Sequence, residues 1–397
     1  MLPFGPSGRP LRVGLNLVFH GVRAGGVGRY ARELGGALLA AEPGIALTVF
    51  VAADHPEELR SAGWAPQARW VTVPAASGSR PAALAEYLAL PALAVARGLD
   101  VLHSPANVGP VIAPRVATVV TLHDLIWFHQ GAGWGADPRA QRAIRRQVAH
   151  SVRHADRVFA TSQAAADDIV LALGVPRERI ALTPMGVRRP AVTATPEAVI
   201  REQLVLGGSR VLLCVAQKRP YKNQASLIRA LPALDPEIVL VAPGASTEYE
   251  DELRRLAAEL GVSDRVRLPA WLSEPDLAGL YALSEVFALP SRIEGFGLPV
   301  LEAMAYGLPV ACSDIPALRE VSGDAALRFD PGEQPAIDAC LTRLFADRAL
   351  QRELIGRGQV QVNRFTWKQT GVASVRGYRD AIAARARPGR RRGGRGS

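Results

Sequence analysis

Short apolar runs rich in β-branched residues alternate with helical stretches through both halves of this 397-residue chain. In the first half the runs cover residues 11–19, 46–52, 70–73, 100–103, 116–122 and 157–161. In the second half they cover residues 210–216, 237–241, 265–268, 286–289, 309–312 and 327–329. This alternation is typical of parallel strands joined by crossover helices. The sequence therefore predicts an α/β fold with two doubly wound sheets.

The two series of strands are separated by residues 188–195, which contain proline and threonine and read as a linker. We expect an N-terminal domain over residues 1–190 and a C-terminal domain over residues 196–371, because the chain is too long for one ordinary domain. The helices predicted between the strands include residues 30–41, 81–97, 137–154, 196–204 and 247–260, and one that begins after Ser162.

The most informative single stretch is residues 291–307, which follows a predicted buried strand and leads into a helix. Gly295 and Gly297 let backbone N–H groups approach a ligand without an intervening Cβ atom. A helix N-terminus beyond such a turn attracts a phosphate or diphosphate. Glu294 and Glu302 bracket the turn, where carboxylates can accept hydrogen bonds from sugar hydroxyls. The stretch thus predicts a ligand with a charged centre and hydroxyl-rich ends.

A second candidate loop, residues 217–223, follows the first strand of the second half and carries Lys218, Arg219 and Lys222. Three cations at the carboxyl end of a strand suit a diphosphate, because the charge of such a leaving group must be neutralised. The alternative is an ordinary basic surface turn.

A glycine turn is also predicted after the first strand, at Gly25, Gly26 and Gly28. Such turns also serve plain packing of a helix on a strand. The spacing departs from the dinucleotide fingerprint, so we do not expect an NAD site.

Two histidines lie where predicted strands of the first half end, His103 and His123. Ligands of parallel sheets gather at these ends. His123 has a structural alternative, in which its ring is tied to Asp124 or to a backbone carbonyl. We expect His103 to lie behind the lining of the site, and His20 could line the same region.

A net charge of +10 is typical of proteins that bind nucleic acids or membranes. However, residues 385–397 contain six arginines and no acidic residue, and the rest of the chain has a net charge of only +4. This Arg/Gly tail is predicted to be disordered. It is either a passive solvated tail or attracted to anionic lipid headgroups. RNA binding is less favoured, because no aromatic residues interleave the arginines.

Three cysteines are too few and too scattered for a disulfide framework or a zinc site, which favours reduced thiols in the cytoplasm. No cluster with the spacing of metal ligands is present in the sequence. We expect no signal peptide, and no apolar run approaches the ~20 residues that a membrane span needs.

The Glu-Gly-Phe-Gly-Leu-Pro segment at residues 294–299, with Glu302 separated from Glu294 by seven residues, resembles the retaining glycosyltransferases of family 4. The resemblance extends over about residues 11–384 and is more specific in the second half. It implies a GT-B fold, with two facing Rossmann-like domains and a cleft between them. In that fold the last helix, here about residues 372–384, commonly packs back on the N-terminal domain.

The resemblance also implies roles for residues of the second half. Glu302 would hold the ribose hydroxyls, and Lys222 with Lys218 or Arg219 would hold the diphosphate. The transferred sugar would be held by Glu294 and by the backbone N–H groups of Gly295, Phe296, Gly297 and Leu298.

In the first half, the Thr-Leu-His-Asp-Leu setting of His123 resembles the family segment whose histidine contacts the transferred sugar. Gly25, Gly26 and Gly28 match the loop that positions phosphate or acceptor. The candidate catalytic residues are therefore Glu294, His123 and Lys222. Two positions depart from the family pattern, Gln217 in place of an arginine and Met185 in place of an asparagine.

The implied activity is transfer of a sugar from a nucleotide-diphosphate donor to a hydroxyl of a glycan or lipid-linked acceptor, without cofactor or metal. GDP-mannose is the first donor to consider, and envelope polysaccharide synthesis is the expected setting, in the cytoplasm or peripherally on the inner face of the plasma membrane. The alternatives are a nucleotide-sugar 2-epimerase or a sugar phosphorylase of the same fold, a catalytically silent sugar- or lipid-binding scaffold, and an RNA-binding protein.

Overall fold

The computed structural model describes residues 9–18, 25–55, 57–60, 62–74, 85–109, 113–129, 138–187 and 193–386. These residues form two compact units. Unit 1 contains the chain up to Leu125, Pro138–Gly186 and the segment from Trp367 onward, and unit 2 contains the segment that begins at Ile126 and Val187–Thr366. His20, most of the predicted linker and nearly all of the Arg/Gly tail lie outside the described residues.

Thirteen strands are present in the described residues, all of them in parallel sheets. They are β1 Arg12–Leu17, β2 Ala46–Ala52, β3 Arg69–Val73, β4 Val101–Ser104, β5 Ala117–Leu122, β6 Arg157–Ala160, β7 Ile180–Leu182, β8 Arg210–Leu213, β9 Ile238–Val241, β10 Val266–Arg267, β11 Val286–Leu289, β12 Val310–Ser313 and β13 Ala326–Phe329.

The α-helices of the described residues lie between these strands and at the end of the chain. They are α1 Gly25–Ala41, α2 Glu57–Arg60, α3 Leu90–Ala96, α4 Pro138–His154, α5 Gln163–Leu173, α6 Glu197–Gln203, α7 Gln224–Ala230, α8 Tyr249–Glu259, α9 Glu274–Leu283, α10 Leu298–Ala305, α11 Pro316–Ser322, α12 Gln334–Ala346, α13 Arg348–Val362 and α14 Trp367–Ala386. Single 3₁₀ turns occur at Ala65–Gln67, Ile126–Phe128, Arg177–Arg179, Pro220–Lys222, Leu231–Ala233 and Ser263–Arg265, and a π-helical turn at Ala85–Ala89.

Unit 1 is built on a seven-stranded sheet with the order β3-β2-β1-β4-β5-β6-β7. Every residue of β5 is buried, as expected of a parallel strand that is covered by helices on both faces. The strand order reverses direction between β1 and β4, where Val13 lies opposite Val101. Ligands of doubly wound sheets bind beyond the carboxyl ends of the strands at such a point.

The last helix, α14, belongs to unit 1 and packs closely against α1. A Cβ atom at Gly371 would lie 2.0 Å from the carbonyl oxygen of Ala37, so only glycine permits this approach. Farther along α14, the buried Tyr378 reaches His103 of β4, with 2.7 Å between its hydroxyl and Nδ1 of the histidine.

Unit 2 is built on a six-stranded sheet with the order β10-β9-β8-β11-β12-β13. Its direction reverses between β8 and β11, where Phe287 lies opposite Leu213. One face carries a continuous apolar core that includes Leu212, Ile228 and Leu240. Both sheets therefore have the doubly wound order that the alternation of strands and helices predicts.

All twelve predicted strands are present, with ends that differ by at most three residues. The prediction missed β7, because a strand of three residues is too short to show a two-residue period. The predicted start of the first helix at Tyr30 is wrong, since α1 begins at Gly25. Glycine has a low helix propensity, but α1 is stabilised by a buried face that includes Leu34 and Leu38.

Among the helices that the structure describes, none combines the length and the apolar character needed to cross a bilayer.

Candidate active site

The strongest candidate site of unit 2 is an ion pair where the strand order reverses. Lys222 ends the loop that follows β8, and Glu294 lies in the loop that follows the neighbouring strand β11. The Nζ atom of Lys222 is 2.6 Å from Oε1 of Glu294. Their side chains are only 15% and 9% exposed. The fold thus joins two predicted site residues that are 72 positions apart in the sequence.

The two loops that carry this pair are themselves connected. The backbone N–H of Arg292 donates to the carbonyl of Tyr221 at 2.8 Å. Tyr221 and Ile293, the residues that precede Lys222 and Glu294, pack together with Ile126 in a small apolar cluster. The ion pair is therefore held by backbone and apolar contacts on both sides.

Cys214 lies directly after β8 and is fully buried. Burial raises the pKa of its thiol to about 12. The thiol is neutral at ordinary pH and therefore poorly suited to act as a nucleophile.

The glycine turn before α10 contains a backbone conformation that favours glycine. Gly297 has φ +96°, and a Cβ atom there would lie 2.3 Å from Cδ2 of Leu318. The flanking side chains of Phe296 and Leu298 are buried, at 4% and 5% exposure. Any contact of this turn with a ligand would therefore come from its backbone N–H groups, as the sequence predicts.

Glu302 lies inside α10 and is 9% exposed. Its Oε2 atom accepts a hydrogen bond from the hydroxyl of Tyr281 at 3.1 Å. Tyr281 belongs to α9 and stacks on Tyr306, with ring centroids 4.8 Å apart and planes 9° from parallel. Tyr281 is not among the predicted site residues, because no spacing rule connects a tyrosine of one helix to a carboxylate of another.

Lys218 and Arg219 have different environments. From the sequence, either of them could be the second cation that holds the diphosphate. Lys218 is fully buried, and its Nζ atom lies 2.7 Å from the carbonyl oxygen of Gly244 and 2.9 Å from that of Pro269. A carboxylate oxygen of Glu250 is 3.4 Å away. The ammonium group thus makes two hydrogen bonds to backbone carbonyls and one ion pair. Burial lowers the pKa of Lys218, whereas Arg219 is only half-buried.

The three candidate glycines of unit 1 lie in the first turns of α1 and not in a loop before it. Gly25 has φ +45°, and no heavy atom lies within 4 Å of a Cβ atom built at Gly25 or Gly26. The prediction of a glycine loop at Gly25, Gly26 and Gly28 is thus corrected to a glycine-rich helix start. A helix start of this kind still presents N–H groups that can bind an anion.

His123 follows β5 and is 6% exposed. Its Nε2 atom is 2.9 Å from the carbonyl oxygen of Pro105, and its backbone N–H donates to Oδ1 of Asn107 at 2.9 Å. The ring of Tyr30 meets the imidazole edge-on, with centroids 4.9 Å apart. Because a carbonyl only accepts, Nε2 carries the proton and Nδ1 keeps its lone pair.

Burial lowers the pKa of His123 to about 4, so the ring is neutral at neutral pH. The backbone tie that the sequence allowed as a structural alternative is present at Pro105. Because this hydrogen bond uses Nε2, the Nδ1 atom of the neutral ring can accept a hydrogen bond from a hydroxyl group.

His103 is buried more completely than His123. Its Nδ1 and Nε2 atoms lie 2.7 Å from the hydroxyl of Tyr378 and 2.7 Å from Oγ1 of Thr121. Burial and the neighbouring His123 lower the pKa of His103 to about 3. Both ring nitrogens are thus engaged, which indicates a supporting role. Met185, the second departure from the family pattern, is buried at 3% exposure.

No group of three or more His, Cys, Asp or Glu side chains is placed to hold a metal ion in the part of the chain that the structure describes. None of the three cysteines forms a disulfide.

Two family models match the chain, one in each half. Residues 24–189 match the model described as Glycosyltransferase Family 4, and residues 197–361 match the model described as Glycosyl transferases group 1. Together they cover most of the described residues of both units.

Curated relatives include two kinds of glycosyltransferase. The chain is 27% identical over 285 residues to the O-antigen chain mannosyltransferase B of Escherichia coli, covering 70% of this chain and 74% of that protein. It is 31% identical over 307 residues to the D-inositol 3-phosphate glycosyltransferase of Acidothermus cellulolyticus, covering 72% and 68%. Other relatives, serotype-specific mannosyltransferases WbdA of Escherichia coli, are matched over only 33–35% of their length.

Among solved structures, a sucrose-phosphate synthase from Thermosynechococcus elongatus superposes with a TM-score of 0.74 at 22% identity, covering 94% of this chain and all of that chain. This likeness confirms the predicted GT-B fold of two Rossmann-like domains. The matches to both halves and the relative of 31% identity show the family. The chain belongs to the family 4 glycosyltransferases and is a glycosyltransferase enzyme.

Proposed function

We propose that this glycosyltransferase is a retaining enzyme that transfers mannose from GDP-mannose to a hydroxyl of a glycan or lipid-linked acceptor in envelope polysaccharide synthesis. The observation that carries the proposal is the Lys222–Glu294 pair at the reversal point of unit 2. The name of the Escherichia coli mannosyltransferase supports mannose as the first sugar to test.

The pair suits a sugar nucleotide because it places a cation and an anion in contact. In such a donor, sugar hydroxyls lie within a few ångströms of the diphosphate. Lys222 can donate to a diphosphate oxygen while Glu294 accepts from a sugar hydroxyl. Arg219 is the better candidate for a second cation, because the ammonium of Lys218 already contacts three oxygens. Glu302, oriented by Tyr281, would accept from the ribose hydroxyls.

The proposed reaction breaks the bond between the anomeric carbon and the diphosphate oxygen, and the electron pair leaves with the diphosphate. Lys222 and Arg219 neutralise the charge that develops there. The acceptor hydroxyl attacks from the same face and passes its proton to the departing phosphate. The neutral His123 would accept a hydrogen bond from the sugar through Nδ1, and Gly25, Gly26 and Gly28 would position the acceptor or its phosphate.

The test is release of nucleoside diphosphate from a panel of GDP-, UDP- and ADP-sugars, with and without EDTA. We expect turnover of GDP-mannose that EDTA does not abolish. Glu294→Gln and Lys222→Met should each lower kcat/KM by roughly 10²-fold or more. Arg319→Gln, which removes an exposed cation of unit 2 that is paired with Asp314, serves as the control and should keep full activity.

The anomeric configuration of the product, read by NMR, tests the retaining stereochemistry: inversion would contradict it. If nucleotides raise the melting temperature but no donor is turned over with any acceptor, the chain is a silent binder and the proposed reaction is wrong.

A further inference from the structure

Unit 1 has a basic cavity that the proposed reaction does not use. The cavity has a volume of about 440 Å³. Its polar lining consists of Arg12, Thr48, Gln67, Arg69 and Arg97, and we name it the arginine cavity after three of these residues. Its volume lies in the range of about 300–1,000 Å³ that is typical of sites for small molecules. The arginine cavity is therefore large enough to hold a small ligand.

The pairing of the strands places two of these arginines on the same face of the sheet. Arg12 and Arg69 are the first residues of β1 and β3, which flank β2. Arg12 lies opposite Ala46 of β2, and Arg69 lies opposite Thr48, two residues farther along β2. Because successive side chains of a strand point to opposite faces, Arg12, Thr48 and Arg69 share one face. They lie at the amino ends of the strands, whereas His123 follows the carboxyl end of β5.

The third arginine of the cavity comes from the end of a helix. Arg97 follows the last turn of α3, and its Nη1 atom is 3.5 Å from the carbonyl oxygen of Leu93. Its Nε atom is buried, so the stem of this side chain is packed against the protein. Arg12 extends to the neighbouring residue, because a Cβ atom built at Gly98 would lie 3.0 Å from Nη1 of Arg12. The fold thus brings three guanidinium groups from distant segments to one cavity.

The positive charge of the arginine cavity is not compensated by carboxylates. Asp100, which precedes β4, accepts from the backbone N–H of Arg12 at 2.9 Å, but its carboxylate is paired with the side chain of Arg9, at 2.5 Å between Oδ1 and Nη2. Within the described residues, the guanidinium groups of Arg12, Arg69 and Arg97 form no ion pair. Like charges at one cavity repel each other, and a bound anion with several negative charges removes that repulsion.

We propose that the arginine cavity binds a small anion that carries two or more phosphate groups. Guanidinium groups bind phosphate oxygens bidentately, and three of them suit an anion whose charge is spread over several phosphates. The hydroxyl of Thr48 and the amide of Gln67 would donate further hydrogen bonds. The cations converge on one cavity and do not line an extended groove, which favours a small anion over a nucleic acid. The proposal does not depend on the proposed reaction, because the cavity lies at the amino ends of the strands.

The experiment is calorimetric titration of the full chain with inorganic phosphate, diphosphate and triphosphate, without divalent cations. We expect the affinity to rise with the number of phosphate groups and to fall as salt is added. Each charge-assisted hydrogen bond contributes about tenfold to the affinity, so Arg12→Gln/Arg69→Gln should weaken triphosphate binding at the cavity roughly 100-fold. Arg97→Gln should weaken it about tenfold. Arg12→Lys/Arg69→Lys keeps the charge without the bidentate geometry and should bind more tightly than the glutamine variant but more weakly than the wild type.

Two further variants separate this site from other cations. Lys222→Met changes the proposed donor site and should keep the triphosphate site that Arg12→Gln/Arg69→Gln loses. Arg142→Gln/Arg146→Gln removes two exposed charges from α4 of the same unit and should bind like the wild type. The proposal is overturned if Arg12→Gln/Arg69→Gln binds triphosphate like the wild type, or if the α4 variant loses as much affinity. It also fails if Lys222→Met abolishes all binding, since the anion would then occupy only the donor site.

Discussion

Lys218 and Arg219 show how adjacent cations of one loop can be placed in different environments. The side chain of Lys218 points into unit 2, where it connects the loops that follow β9 and β10 through the carbonyls of Gly244 and Pro269. Arg219 is half-buried. A buried ammonium with matched acceptors stabilises the surrounding loops, whereas a partly exposed guanidinium can bind a phosphate bidentately.

We expect Lys218→Met and Arg219→Met to affect different properties. Lys218→Met removes the donor to the carbonyl of Gly244, one of the two donors to the carbonyl of Pro269 and the cation beside Glu250. It should lower the free energy of unfolding by about 3 kcal/mol or more. Arg219→Met should change stability much less but raise the KM for the sugar nucleotide about tenfold. Urea unfolding and donor titrations measure the two effects. A reversed outcome would assign the diphosphate to Lys218.

Tyr281 illustrates a residue that acts through another one. Its hydroxyl donates to Glu302, while its ring is held by stacking on Tyr306. Tyr281→Phe keeps the stack and removes the donor to a charged acceptor. We expect the donor KM to rise roughly tenfold while kcat changes less than twofold.

A donor with a deoxyribose nucleotide distinguishes this positioning role of Tyr281 from a purely structural one. If Tyr281 orients Glu302 toward the ribose hydroxyls, the variant and the wild type should bind the deoxyribose donor about equally. If the substitution raises the KM by the same factor for the ribose donor and for the deoxyribose donor, Tyr281 only supports the fold.

At the scale of elements, α1 and α14 of unit 1 depend on glycine at their contact. Gly371→Ala would place a methyl group 2.0 Å from the carbonyl oxygen of Ala37, and a backbone atom cannot move away by changing a rotamer. We expect the free energy of unfolding to fall by about 3 kcal/mol or more.

Gly356→Ala is the matched control, because Gly356 lies within α13 and a methyl group added there would meet no heavy atom within 4 Å. At this position alanine should raise stability by up to about 1 kcal/mol through its higher helix propensity. Thermal and urea unfolding of both variants provide the comparison. Equal effects at the two positions would contradict the close packing of α14 on α1.

At the scale of the whole molecule, the buried histidines should make stability depend on pH. The pKa of His103 is about 3 and that of His123 about 4 in the folded protein, against a usual value of 6.5. The unfolded chain therefore binds more protons below pH 6.5. The stability linked to each histidine is fully present above pH 6.5 and is lost as the pH falls toward its folded pKa.

Between pH 7 and pH 5 each histidine should account for a loss of about 2 kcal/mol in the free energy of unfolding. Urea unfolding at several pH values measures this loss. His103→Gln and His123→Gln should each flatten the dependence by about that amount, even if they lower stability at pH 7. Parallel curves for wild type and variants would contradict the assignment.

Local patterns of the sequence determined much of this protein. The alternation of apolar runs and helical stretches predicted twelve strands and the doubly wound order, because the side-chain period and the burial of parallel strands are visible in neighbouring residues. The Glu-Gly-Phe-Gly-Leu-Pro segment at residues 294–299, followed by Glu302, resembles the family 4 glycosyltransferases, and the comparisons confirm that family. The glycine at position 297 is explained by the structure, because its φ of +96° and its approach to Leu318 disfavour any side chain.

Only the tertiary structure decided which of these residues meet. It paired Lys222 with Glu294, buried Lys218, joined Tyr281 to Glu302 and brought three arginines of unit 1 to one cavity. Each of these contacts depends on packing between segments that are distant in the sequence. The pattern of neighbouring residues does not predict such packing. The direction in which a side chain points depends on how its helix or strand packs against all the other elements around it.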